Sequence, residues 1–335
     1  MAFLSQLQGG IAQLKQKAEA AAPSIAGSLN QLKEAPKFME SAFKTGLNKV
    51  KLDSLGKVLN VPSLGRSQSP IDIVPVITAF GEHLQNAHFE VTYESTGEFK
   101  AVNDGNSVWL MREGNSSELA ISFLPEEQYH LDAVNFHWAT EPMNGSEHTI
   151  GGVGYAGEMH LIHRNTRFAT MADALKQPNG VIAIAVFLNE SHDDNSIFSP
   201  LINLLPQIIY KGSECKLCSF DFQTFFPVAE KTKEFWMYEG SETTDPFRET
   251  VNWIVIRAAL PISSHQLDKL REVRAGRYDE EFSDKVPMKP LRTIQVIFIC
   301  FLLYKLIFLF QAASSRTVQS SFRSVAGAPD LGFRQ

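Results

Sequence analysis

Between residues 129 and 163 the chain concentrates side chains that bind metals or move protons. Tyr129-His130-Leu131-Asp132-Ala133-Val134-Asn135-Phe136-His137-Trp138 is followed by Gly145-Ser146-Glu147-His148-Thr149 and Tyr155-Ala156-Gly157-Glu158-Met159-His160-Leu161-Ile162-His163. On a strand, alternate side chains share a face. Asn135 and His137 therefore point one way and Phe136 the other, and Glu158 shares a face with His160. His130, seven positions before His137, falls on the opposite face of a regular strand, and His163 is out of phase with His160. Only a bulge re-aims either one. Imidazoles and carboxylates are zinc-ligand types; catalytic zinc takes three protein ligands and leaves the fourth position to a water that it makes acidic.

Strands must position these residues. Short alternating or apolar segments at 88–93, 107–111, 118–123, 131–138, 155–163, 181–188 and 251–258, separated by Gly, Asn and Asp turns, predict a mainly β (α+β) domain over 61–295. Its compact part begins near Ser67-Gln68-Ser69-Pro70-Ile71-Asp72-Ile73. Residues 1–60 differ in character. Leu4, Leu7, Ile11 and Leu14 have helical spacing, and Pro23 and Pro36 break the pattern, which predicts an amphipathic helical extension. Its lysines, from Lys15 to Lys57, suit a membrane surface or an acidic partner; a solvated extension is the alternative reading.

The most hydrophobic run is Val296-Ile297-Phe298-Ile299-Cys300-Phe301-Leu302-Leu303-Tyr304-Lys305-Leu306-Ile307-Phe308-Leu309-Phe310. With its flanks, 296–313 reaches the short limit of a membrane span. Lys305 costs roughly 2.5–3.5 kcal/mol on insertion scales, while each Phe, Leu or Ile returns about 0.3–0.6 kcal/mol, so 296–313 reads as a candidate membrane anchor. A buried terminal strand is the alternative. Residues 314–335 form a polar tail.

The chain has 335 residues and a formal net charge of -6, which argues against nucleic acid as a partner. Its three cysteines make no disulfide framework, and Cys215-Lys216-Leu217-Cys218 reads as an incidental pair of loop thiols. The amino terminus lacks a basic segment followed by an apolar run. No signal peptide is expected, and the domain is placed in the cytoplasm, with membrane association through 296–313 or the N-terminal extension.

Five ordered strings resemble the alpha-class carbonic anhydrases over about residues 67–295: Gln68-Ser69-Pro70, Phe136-His137-Trp138, Gly145-Ser146-Glu147-His148-Thr149, Tyr155 to His163, and Gly240-Ser241-Glu242-Thr243-Thr244-Asp245-Pro246. The resemblance implies a large, twisted, mostly antiparallel ten-stranded sheet with short peripheral helices and a zinc at the bottom of a cleft. It assigns His137 and His160 to two of three zinc ligands, with Asn135 at the third. It makes Glu158 the carboxylate that fixes a ligand imidazole, and Thr243 the hydroxyl that orients zinc-bound hydroxide. Glu147 becomes the acceptor of that threonine's proton, and Ile162 and Trp253 the apolar wall beside carbon dioxide.

The departures fall on one mechanism. A neutral amide at Asn135 is a poor replacement for imidazole. Ala133 stands where the family carries the Gln supporting the first ligand, and Asn106 where it carries the proton-shuttle His, which a carboxamide cannot replace near pH 7. Glu242 replaces a pocket-lining Leu, and an unpaired carboxylate there is costly to bury. The expectation is a carbonic-anhydrase-related protein that keeps the fold, lacks carbon dioxide hydration, holds zinc weakly or not at all, and acts as a scaffold for a protein partner. Two alternatives stay open. One is a zinc-dependent carbonate dehydratase with Asn135 as a weak ligand. The other is a reorganised site in which Glu242 joins His137 and His160. No Gly-x-Ser-x-Gly elbow supports a nucleophilic hydrolase.

Overall fold

The computed structural model describes residues 67–75, 78–112, 117–140, 143–279 and 318–322. The chain divides into Met1–Arg66 and Ser67–Gln335, and all described residues belong to the second unit. The helical expectation for 1–60 and the candidate anchor at 296–313 lie outside the described residues. So does the polar tail, apart from residues 318–322.

In chain order the strands are β1 (Asp72–Ile73), β2 (Ala79–Phe80), β3 (Phe89–Thr92), β4 (Thr96–Asn103), β5 (Val108–Arg112), β6 (Glu118–Ile121) and β7 (Gln128–Trp138). They continue with β8 (Thr149–Ile150), β9 (Gly157–Asn165), β10 (Val181–Ser191), β11 (Glu214–Ser219), β12 (Phe235–Gly240), β13 (Val251–Ser263) and β14 (Gln319–Ser320). The main sheet has 12 strands where ten were expected; its order is β11-β4-β5-β7-β9-β10-β13-β12-β14-β2, and the β3–β6 pair joins through β7. Most neighbours are antiparallel, but β10–β13 and β14–β2 are parallel, as is the separate β1–β8 pair. Short helices lie at the periphery: α1 (Met171–Ala174), α2 (Ser199–Leu204) and α3 (Ser264–Arg271). Among the described residues no helix is long and apolar enough to cross a membrane.

The central strand β10 is buried on both faces, which is why it reads as an unbroken apolar run from Val181 to Leu188. Ile182, Ile184 and Val186 enter one apolar layer with Phe136, Met159 and Leu161, whereas Ala183, Ala185 and Phe187 enter the other with Val251, Trp253 and Val255.

Strand β7 departs from the regular alternation assumed for it. Its register with β9 shifts between Leu131 and Ala133, so the side chains entering the first layer switch from Tyr129 and Leu131 to Val134, Phe136 and Trp138. The bulge turns His130 to the face of Asn135 and His137, contrary to the sequence expectation. His130 is nonetheless five residues from Asn135, roughly 16 Å along a strand, and stays out of their cluster. His163 faces the opposite layer, where its Nε2 meets Tyr93 Oη at 2.6 Å. A second correction concerns Cys215 and Cys218. They lie on the edge strand β11, paired to β4, instead of in a loop, and both are free thiols.

Candidate metal centre

Adjacent strands β7 and β9 build the floor of the site. Their antiparallel register sets Asn135 opposite His160 and His137 opposite Glu158, so alternation places all four side chains on one face. A loop after β7 adds Glu147 and His148. Gly145 opens this loop because a Cβ there would come within 1.8 Å of the Ala156 carbonyl oxygen, a contact only glycine avoids.

Glu158 is fully buried and accepts three hydrogen bonds: from the His148 backbone N–H at 2.7 Å, His148 Nδ1 at 2.6 Å and His160 Nε2 at 2.7 Å. Burial pushes its carboxyl pKa up, but the charge and hydrogen bonds of His148, with those of His160, outweigh burial and hold it well below the usual carboxylate range. Its ionised form fixes the protons on His148 Nδ1 and His160 Nε2. The network continues from His148 Nε2 to Tyr238 Oη at 2.6 Å and from Tyr238 to Ser69 Oγ at 2.9 Å. The other ring nitrogen of His160, Nδ1, carries the lone pair when Nε2 holds the proton given to Glu158.

That lone pair faces His137. His160 Nδ1 and His137 Nε2 are 3.2 Å apart, and the rings lie 4.5 Å apart at 46°. Burial, then the neighbouring His160, holds the His137 pKa well below its usual value. Asn135 Nδ2 donates to His137 Nε2 at 2.8 Å, while Asn135 Oδ1 is buried without a hydrogen-bond partner. On the other side of the His137 ring, Glu147 Oε1 lies 3.7 Å from Nδ1. The ligand atoms of His137, Glu147 and His160 all fall within 4.8 Å of one another.

The loop between β12 and β13 corrects the reading of Glu242. Its carboxylate is not unpaired: Arg248 donates Nε to Oε2 at 2.7 Å and Nη2 to Oε1 at 2.9 Å, and its backbone N–H adds a third bond at 3.2 Å. Held there, Glu242 does not join His137 and His160; the carboxylate beside the two imidazoles is Glu147. Thr243 is half-buried on the same loop, and none of the hydrogen bonds above runs from its hydroxyl. Trp253 packs edge-on against His160 at 4.7 Å and His148 at 4.9 Å, and its Nε1 donates to the Ser241 carbonyl at 3.0 Å. Ile162 is half-buried against the same apolar layer. Ala133 is buried with no polar group to offer, and Asn106 is exposed in the turn between β4 and β5.

The sequence profile of the eukaryotic-type carbonic anhydrases matches residues 59–297. The chain belongs to this family. Human carbonic anhydrase 7 is 31% identical over 234 residues, covering 68% of this chain and 86% of the relative. Human carbonic anhydrase 3 is 32% identical over 218 residues, 64% of this chain and 81% of the relative. The rat carbonic anhydrase 3 is 31% identical over 217 residues, with the same coverage.

Carbonic anhydrases of this type ordinarily hold zinc, and two side chains here keep a matching geometry. A nitrogen separation of 3.2 Å is close to the donor spacing of a tetrahedral zinc site, roughly 3.3 Å for bonds of about 2.0 Å. Asn135, on the same face, presents an amide whose Nδ2 donates to His137 Nε2 at 2.8 Å, the atom a metal would use. What remains fits a divalent ion through two imidazoles and an oxygen donor. Sequence reasoning assigned no role to His148, Tyr238, Ser69 or Arg248. His148 stands next to Glu147 in a quoted string and offered a signal; the other three lie far away in sequence or in a loop whose path only folding sets.

Proposed function

We propose that this carbonic anhydrase family member does not hydrate carbon dioxide and uses its sheet as a binding scaffold for a protein partner. The observation that carries the reading is the Asn135 amide, whose Nδ2 sits 2.8 Å from His137 Nε2 and prevents assembly of three imidazoles. Other features support it. Ala133 leaves that position without a supporting hydrogen bond, Asn106 cannot relay protons near neutral pH, and the Glu242–Arg248 ion pair stands where an apolar pocket wall is expected. Residues 1–66 and 280–317 supply additional chain for partner contacts.

Stopped-flow carbon dioxide hydration by the full chain, with zinc supplied, tests the reading. The expected rate equals that of buffer with zinc alone. Catalysis proportional to protein and abolished by His160→Ala would overturn it and restore the carbonate dehydratase reading.

A further inference from the structure

We infer that His137, His160 and Glu147 together form a binding site for one divalent transition-metal ion, in which a carboxylate replaces the missing imidazole. The inference rests on the reading that the three-imidazole set is broken, and it departs from that set by recruiting Glu147. Two imidazoles and a carboxylate are a ligand combination that zinc accepts.

The position of the groups argues for a cation. His137, His160 and Glu147 are each at most 5% exposed. Glu158 holds the His160 proton on Nε2 at 2.7 Å, leaving Nδ1 as a donor directed at His137 Nε2, 3.2 Å away. An ion here would take the His137 Nε2 lone pair that the Asn135 amide N–H holds at 2.8 Å, in a site that excludes water. Asn135 adds an independent observation: the residue is 2% exposed, and its buried Oδ1 makes no hydrogen bond. Rotating the amide removes Nδ2 from His137 and turns this oxygen inward, as an acceptor or a weak fourth donor. Glu147 must move from the Nδ1 side of His137 toward Nε2, closing separations of up to 4.8 Å to about 3.3 Å through side-chain rotation.

A neighbouring group, His148, Glu158 and His160, has comparable spacing but a different proton inventory. There both imidazoles donate to the same Glu158 oxygen, at 2.6 and 2.7 Å, so neither turns a lone pair toward the carboxylate. It is a structural network, and the His137 side is where an ion enters.

The test is titration of the full chain with zinc and with cobalt(II), read by equilibrium dialysis and by the visible absorption of bound cobalt. One ion per chain is expected, with Glu147→Gln weakening it at least tenfold, since losing even a supporting group around a metal costs about 10–100-fold. Absence of binding by the wild type, or wild-type affinity in a folded Glu147→Gln protein, overturns the proposal. Because a buried glutamine could disturb folding, zinc-edge X-ray absorption of the wild type gives a second decision. Two imidazoles with oxygen donors support the site, and any other imidazole count removes it. Hydration measured separately tells failure of this site from failure of the scaffold reading: an active enzyme with three nitrogen ligands defeats both, whereas a metal-free inactive protein defeats only the metal site.

Discussion

At position 135 the amide Nδ2 donates to His137 Nε2 at 2.8 Å and so occupies a lone pair that an ion would need, whereas an imidazole there could offer a lone pair of its own. Asn135→His should therefore raise zinc affinity by at least about tenfold in the same dialysis measurement, a scale set by the sensitivity of metal sites to lost ligands and supporters. Unchanged affinity would mean that the two wild-type imidazoles do not point at a common ion. His163 makes a separate point about pH. Burial lowers its pKa to about 3, while the phenol of Tyr93, itself raised well above its ordinary value by burial, stays protonated and donates to Nε2. Between about pH 6.5 and 3 the unfolded chain binds a proton that the folded chain refuses. Stability is thus fully present above 6.5 and falls with acidification by about 1.4 kcal/mol per pH unit from this group. Urea unfolding of His163→Gln between pH 6 and 4 should show a slope shallower by one proton; an unaltered slope would exclude His163 as the source.

Elements carry the site through their register. Had β7 been regular, Tyr129 and Leu131 would face away from the layer they fill, so the bulge at Asp132 lets one strand serve the core at both ends while aiming Asn135 and His137 at β9. Parity within 133–137 was legible from alternation, but the phase between 128–131 and 133–137 was not, because a bulge depends on the partner strand. Helix α3 shows a local signal that is complete in sequence. Ser263 Oγ accepts from Gln266 N–H at 3.0 Å, and the Gln266 side chain accepts from Ser263 N–H at 3.2 Å, a reciprocal cap. Ser263→Ala should cost about 1–2 kcal/mol in urea unfolding. A cost near zero would show that the cap is redundant with the packing of Leu267 and Leu270.

Across the whole molecule, β14 constrains any role for the apolar run at 296–313. After residue 318 the chain pairs with β12 and β2, Ser321 Oγ accepts from Phe235 N–H at 3.0 Å, and Phe322 packs on Trp236 at 5.3 Å. The run is therefore flanked on both sides by chain belonging to one sheet. A single membrane crossing sends its flanks to opposite sides of a bilayer, which β14 could not satisfy while remaining in place. Protease digestion of sealed vesicles carrying the full chain should accordingly cut a tag after Gln335 and a tag in the exposed turn at His192–Asp193 from the same side. Protection of only one tag would establish a single crossing and a displaced β14.

The mainly β class, the family, the strand faces of Asn135, His137 and His160, and the pairing of Glu158 with a histidine were determined by the sequence alone, because alternation and short ordered strings are local. Tertiary structure decided what distance along the chain conceals. It brought Tyr238 and Ser69 onto His148, paired Glu242 with Arg248, set Glu147 beside His137, and inserted β14 between β12 and β2. The physical reason is the same throughout: periodicity tells which way a side chain points from its own strand, while hydrogen bonds and ion pairs depend on which other strand or loop arrives opposite it.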